Sequence, residues 1–306
     1  MSITLDHESL SPSPFTVASC QATLIRACET LGLHHEDARL IRLGENAIFH
    51  LTREGLIARI ARNRDKLSDA SKELRVARWL VASGFDTAES YDLDEPLVID
   101  ERPITFWRYI EHDGTKATAD QLGAVLRTLH DLNPPESLDL PRYKMFGRVD
   151  MRIESFHQFP EADRAFLRER VRELREAYSQ ISFPLSECAI HGDAHVANLL
   201  RRTGGGVTLI DLESFAYGHP EADLAVTAGE KLMGWHTDED YSGFVRAYGF
   251  DLLDWDGFPT IQAIGELKAT TWLMQNLGHS ASIDAEIHRR LDDLRHPERP
   301  RGWTPI

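Results

Sequence analysis

The sequence predicts an α+β chain of two lobes: a small antiparallel β-sheet carrying one long helix, then a larger, mainly α-helical lobe. Three observations predict it. Between residues 39 and 110, short apolar runs rich in β-branched and aromatic residues are separated by turn-forming breaks, the pattern of strands. A single stretch of helical period, 68–83, interrupts them. Beyond Gly114 the apolar period becomes helical and stays so to about Leu294, apart from one hairpin-like interruption between His191 and Ser214.

Each element has its own signal. Val17 to Leu31 reads as a helix closed by Gly32, a residue suited to a left-handed C-terminal cap. The runs RLIRL (39–43), AIFHL (47–51), LIARIA (56–61), LVID (97–100) and ITFWRYI (104–110) read as strands. Between them, Ser68 to Ser83 places Leu74, Ala77, Leu80 and Val81 on one helical face, and Gly84 ends it. TADQLGAVLRTLHDL (118–132) opens on Thr-x-x-Gln, a capping-box signature, and repeats Leu122, Val125, Leu126 and Leu129 at helical spacing. EADRAFLRERVRELREAY (161–178) puts Leu167, Val171, Leu174 and Tyr178 on one stripe, an amphipathic surface helix. Helical patterns resume after Glu221. The expected division is an arm over 1–16, an N-terminal lobe over 17–112 and a C-terminal lobe over 113–306.

Composition narrows the function. With 42% hydrophobic and 27% charged residues, the 306-residue chain is ordinary for a globular protein. It holds no apolar run near the roughly 18 residues of a membrane span, and its first residues lack the basic-then-apolar layout of a signal peptide. The expectation is a cytoplasmic protein with no membrane partner. A net charge of −15 repels a phosphate backbone and attracts a cationic small molecule, so no nucleic-acid partner is expected either. Cys20, Cys28 and Cys188 match neither a zinc site nor a CxxC pair and read as reduced thiols.

The chemistry is concentrated in HGDAHVANLLRRTGGGVTLIDLES, residues 191–214. ANLLR and VTLID are strand-like and RTGGG is the turn between them, so a hairpin brings Asn198 and Asp211 to one rim, with Asp193 in the loop before it. One amide oxygen and one carboxylate suit a hard divalent cation, and a second carboxylate is left for proton work. Glycines 204–206 lack the GxxxxGK[ST] pattern and the following helix of a phosphate loop. His191, Asp193 and His195 could share zinc in a hydrolase, but no third His or Cys stands at suitable spacing.

HGDAHVANLL followed by LIDLES resembles the catalytic segment of the aminoglycoside phosphotransferase and choline kinase-like family, bilobal relatives of the protein kinases. The resemblance runs from about Leu40 to Asn276. It implies a protein kinase-like fold and an ATP- and Mg2+-dependent kinase, with Asp193 as the base facing the acceptor hydroxyl and Asn198 and Asp211 holding the metal. Asp223, in GHPEADLA, would brace the catalytic loop. In the N-terminal lobe, LGENAIFHL resembles the family's nucleotide-loop hairpin, with Gly44 and Asn46 at the turn. LIARIAR puts Arg59 where the family's phosphate-binding lysine stands, a departure that changes the donor geometry. Glu73 matches that cation's acidic partner. FWRYIEHDG resembles the interlobe linker, with Trp107, Tyr109 and Ile110 beside the nucleotide base. Backbone groups read the base there, so the side chains leave GTP open beside ATP.

Acceptor recognition is expected among Glu213, Glu230, Trp235, His236, Asp238, Glu239, Asp240, Glu266 and Trp272, whose carboxylates and indoles suit a cation. Glu213 leads them, standing two residues from Asp211. The expected reaction is γ-phosphoryl transfer to a hydroxyl of a small, cationic molecule, with an antibiotic of aminoglycoside type ahead of a sugar, amino alcohol or nucleoside. A catalytically silent kinase-like binding protein is the reading from another class, separable by magnesium-dependent ATP consumption. Either a monomer or a homodimer fits.

Overall fold

A computed structural model describes residues 14–305; the expected N-terminal arm lies outside the described residues as far as residue 13. The chain divides into two compact units, one made of residues through Thr115 together with Leu200–Glu213, the other of residues 116–199 and 214 onward.

The first unit is built on a five-stranded antiparallel sheet of order β1-β2-β3-β5-β4, from β1 (Ala38–Leu43), β2 (Asn46–Leu51), β3 (Leu56–Ala61), β4 (Leu97–Ile99) and β5 (Arg102–Arg108). Alternation gives the sheet two different faces. Ala47, Phe49, Leu51, Leu56, Ala58, Ile60, Ile104 and Phe106 point to one side and pack on Cys20, Leu24, Ala27 and Cys28 of α1 (Val17–Leu31). The other face carries Ile48, Arg59 and Thr105 side by side, because Ile48 pairs with Arg59 and Arg59 with Thr105. Helix α1 opens on a Thr16–Ser19 capping box and closes on Gly32 at φ +68°, as its sequence predicts.

Helix α2 (Leu67–Ala82) packs beside β5. It buries Leu74, Ala77 and Leu80, but Val81, expected on the same face, is 41% exposed. A second sheet orders β6 (His112–Lys116), β8 (Leu199–Arg202) and β9 (Val207–Leu209) as β6-β8-β9. The glycine-rich stretch is a hairpin tip, closed by Arg202 N–H on Gly206 C=O at 3.1 Å. Strand β9 is tied into the first unit through Leu209, whose N–H donates to Asp86 and whose carbonyl accepts from Ala88, both at 3.0 Å.

The second unit is helical. Helices α3 (Ala119–His130), α4 (Val149–Ser155), α5 (Glu161–Tyr178), α6 (Glu221–Leu232), α7 (Asp238–Tyr248), α8 (Phe258–Leu273) and α9 (Ala281–Arg295) surround a core in which α8 touches α4, α5, α6 and α9. Leu167, Val171 and Leu174 of α5 enter that core as their stripe predicts. A two-stranded ladder pairs β7 (Cys188–Ile190) with β10 (Ala216–Gly218), on either side of the His191–Ser214 stretch. After α9 the chain turns back over the helices, and Trp303 is buried with its Nε1 donating to Asp293 at 2.7 Å. No helix among the described residues is long and apolar enough to cross a membrane. All three cysteines are free thiols.

Candidate functional site

In the second unit the segment after β7 is held by one buried carboxylate. Asp223 accepts the backbone N–H groups of His191 and Gly192, each at 2.7 Å, one on each carboxylate oxygen. Its Oδ2 also lies 3.1 Å from His130 Nε2, and His130 Nδ1 lies 3.0 Å from the Tyr248 hydroxyl. Burial alone would raise the Asp223 carboxyl; the hydrogen bond and charge of His130, with His191 beside it, outweigh that and hold it below the usual range. Gly192 sits at φ +81°, and a Cβ there would come within 2.3 Å of the Ser214 carbonyl, so only glycine fits.

This brace uses the loop's backbone N–H groups and does not engage the Asp193 side chain. The Asp193 carboxylate is 57% exposed, with one oxygen 3.8 Å from His195 Nε2. Asn198, in a short 3-10 turn before β8, is buried and donates its amide to the Asp193 carbonyl at 2.9 Å. With its nitrogen engaged inside the loop, the amide oxygen is the atom left for a hard cation. His191 is fully buried, its ring edge-on to Phe215 at 6.5 Å. Among the described residues no group of three or more His, Cys, Asp and Glu side chains is arranged to share a metal.

In the first unit Arg59 is the hub. Its Nη1 donates to Glu73 at 2.7 Å and its Nη2 to Glu213 at 2.7 Å, with Asp211 at 3.7 Å. With the Asn46 amide oxygen turned toward the guanidinium, it accepts from Nη2 and Nε, both at 2.9 Å. Burial, with the Asp211 and Glu213 carboxylates nearby, pushes Glu73 up to about 7 against the pull of Arg59. Asp211 stands just past β9 at φ +64°, with nearly half of its side chain exposed. Two lysines that sequence reasoning missed complete the cluster. Lys66 pairs with Glu213 Oε1, and Lys72 donates to the Glu213 backbone carbonyl at 2.6 Å. Their signal is the helix start KLSDASKE, where both precede the predicted Glu73 by less than two turns. Asn46, Arg59, Lys66, Glu73 and Glu213 line a cavity of about 20 Å³, room for one water molecule.

The remaining nucleotide-side predictions are scattered along the same sheet. Gly44 lies at the β1–β2 turn, its N–H on the Asn46 carbonyl at 3.0 Å. Trp107 is buried with Nε1 on Thr105 Oγ1 at 2.9 Å, a packing role. Tyr109 is partly exposed and stacks on His50, ring centroids 4.2 Å apart. Ile110 follows, half-buried.

The acceptor-side predictions fall into separate contacts. Glu213 belongs to the Arg59 cluster instead. Glu230 pairs with His236 at 2.9 Å, and Trp235 donates to the Trp303 carbonyl at 2.9 Å. Glu266 is buried and takes Arg301 through Nε at 3.0 Å and Nη2 at 2.9 Å. Asp238 pairs with Lys231, Glu239 is exposed, and Asp240 caps α7 by accepting from Thr237 N–H at 3.0 Å. Trp272 is 42% exposed on α8.

Comparison with known proteins places the chain. The model of a phosphotransferase enzyme family, APH, matches residues 38–259. No curated protein sequence gives a significant match. Among solved structures, an amicoumacin kinase in complex with AMP-PNP and Ca2+ is 15% identical with a TM-score of 0.73, covering 94% of this chain and 97% of its own. A microcompartment-associated aminopropanol kinase is 17% identical with a TM-score of 0.67, over 90% and 94%. A spectinomycin phosphotransferase in complex with ADP and spectinomycin is 17% identical with a TM-score of 0.61, over 91% and 94%. At these identities the likeness is one of fold, the bilobal kinase-like architecture that the sequence predicts.

Proposed function

We propose, from the premise that this chain belongs to the APH phosphotransferase enzyme family, that it transfers the γ-phosphoryl group of ATP to a hydroxyl of a small, cationic molecule. The observation that carries the reading is the braced catalytic loop, with Asp223 pinning two consecutive N–H groups and the Asp193 carboxylate left exposed. Asp193 accepts the acceptor's hydroxyl proton and aims its oxygen, a role of positioning as much as of basicity. Arg59, oriented by Glu73, binds nucleotide phosphate. Asn198 and Asp211 are the proposed magnesium ligands. Both offer hard oxygen donors, one an amide whose nitrogen is already engaged and the other a half-exposed carboxylate. When bound, the metal supplies charge neutralisation to the phosphates.

For the acceptor we place an antibiotic of aminoglycoside type first, on the family resemblance and the net charge of −15. A compact amino alcohol is the second reading, and it has its own support. Glu266, Asp238 and Asp240 are already engaged by Arg301, Lys231 and the α7 cap. Few of these candidate carboxylates are then left for a polycation, while Glu230, whose partner is the His236 ring, and the tryptophans suit a single ammonium group. Magnesium-dependent ATP turnover against a panel of antibiotics, sugars and amino alcohols tests the reading. Turnover with one cationic acceptor is expected, and absence of any ATP consumption across the panel would favour a silent binding protein.

A further inference from the structure

Glu213 is held in an unusual way for an acidic side chain near a phosphate-binding arginine. Each of its carboxylate oxygens binds a different cation, Oε2 taking Arg59 Nη2 and Oε1 taking Lys66 Nζ. A bridging anion between two cations at the mouth of a small cavity is what a phosphate group provides, with more charge and one more oxygen. Glu73 is different. It is buried, binds only the other terminal nitrogen of Arg59, and so fixes the guanidinium plane without covering its outer donor. The Glu213 main chain is anchored separately, since Lys72 holds its carbonyl. Its side chain, 22% exposed, can therefore swing out while the backbone stays in place.

We propose that Lys66 is a second phosphate-binding cation beside Arg59, and that the Glu213 carboxylate holds this pair in the nucleotide-free protein as a stand-in that nucleotide phosphate displaces. The inference rests on the phosphotransferase reading and deepens it. It explains how an arginine serves in place of a lysine. The fork keeps one nitrogen on Glu73 and presents another outward, and Lys66 adds a point charge alongside. Displacement costs apparent affinity, because only the fraction of molecules with Glu213 released is ready for phosphate.

Titration calorimetry of the intact protein with ATP and with inorganic tripolyphosphate, both in excess EDTA, tests this without turnover or metal. With a competent fraction near one tenth, Glu213→Gln should tighten both ligands about tenfold. Lys66→Ala should weaken both, and in the Glu213→Gln background its effect should differ from that in the wild type, since the two side chains share one contact. Glu213→Ala, which keeps no polar group there, should also tighten binding, and thermal melts confirm that each variant is folded. If the wild type binds ATP but Glu213→Gln binds it equally or more weakly, or Lys66→Ala binds it unchanged, the inference falls and the phosphotransferase reading stands. If neither ligand binds the wild type or any variant, the inference falls, and the magnesium-dependent turnover panel decides the phosphotransferase reading separately.

Discussion

Arg59 stands where the family resemblance implies a lysine, and its contacts give a reason why arginine and lysine would not be equivalent there. One terminal nitrogen stays on Glu73 while, in the proposed role, the other takes phosphate, a division that one ammonium cannot reproduce in the same geometry. Hydrogen bonds to charged groups contribute about 1.5–3 kcal/mol each. Arg59→Lys should therefore lower kcat/KM by about tenfold or more, and Arg59→Ala with Glu73→Ala should combine non-additively in steady-state kinetics. Equal activity of the lysine variant would mean that only a point charge is needed. Asp193 is tested by Asp193→Asn, which should lower kcat by roughly 10²–10⁴ while ATP affinity stays within about twofold by calorimetry. Near-normal turnover would remove Asp193 from the proton-accepting role.

At the scale of the element, the catalytic loop depends on a glycine whose backbone cannot be imitated. Gly192→Ala meets both a left-handed φ and the Ser214 carbonyl at 2.3 Å. The φ penalty of about 1–2 kcal/mol and an overpacking cost of about 1–3 kcal/mol should together move the urea midpoint clearly downward, and an unchanged midpoint would contradict that geometry. Much of the element plan was legible because local signals agree with the fold. Gly32 marks the end of α1, and Thr118 with Gln121 opens α3, whereas the Thr16 cap that opens α1 falls within the expected arm. Strands β7 and β10 were not legible, since three residues carry no alternation, and neither was α4, a helix of two turns. Adjacency alone does not show what Glu213 touches. Two residues from Asp211, it read as an acceptor contact, but the left-handed Asp211 and the 3-10 turn over Leu212–Ser214 accompany a Glu213 side chain committed to Arg59 and Lys66. Nor does periodicity reveal that Lys66 and Lys72 converge on a residue far along the chain.

For the whole molecule, one buried ion pair and one buried carboxylate bear on the response to mutation and to acid. Removing Arg301 leaves Glu266 buried without its cation, and breaking such a pair costs about 3–5 kcal/mol. Arg301→Ala should lose about that much stability in urea unfolding, and a loss below about 1 kcal/mol would mean that water replaces the guanidinium. Asp223 governs acid behaviour. Its folded-state carboxyl is depressed, so the stability it contributes is fully present above the unfolded value of about 3.9 and is lost as pH falls through the lower folded value. Urea midpoints between pH 2 and 6 should therefore fall more steeply below about pH 4 for the wild type than for Asp223→Asn, which begins less stable. Parallel acid limbs would show that Asp223 does not carry this dependence.

The first unit takes in Leu200–Glu213, a segment that follows the whole stretch 116–199 along the chain. During synthesis this has a temporal consequence. When Thr115 leaves the ribosome, the Asp86–Ala88 strip still lacks Leu209, and Arg59 and Lys66 still lack Glu213. At ordinary elongation rates the missing partners arrive roughly 5–20 s later. For that interval Arg59 has Glu73 and Lys66 has Asp69, but both lack the carboxylate that joins them, and backbone groups stay unpaired. An expressed fragment ending at Thr115 would carry the same defect permanently, so the first unit is one body in space without being one on the ribosome.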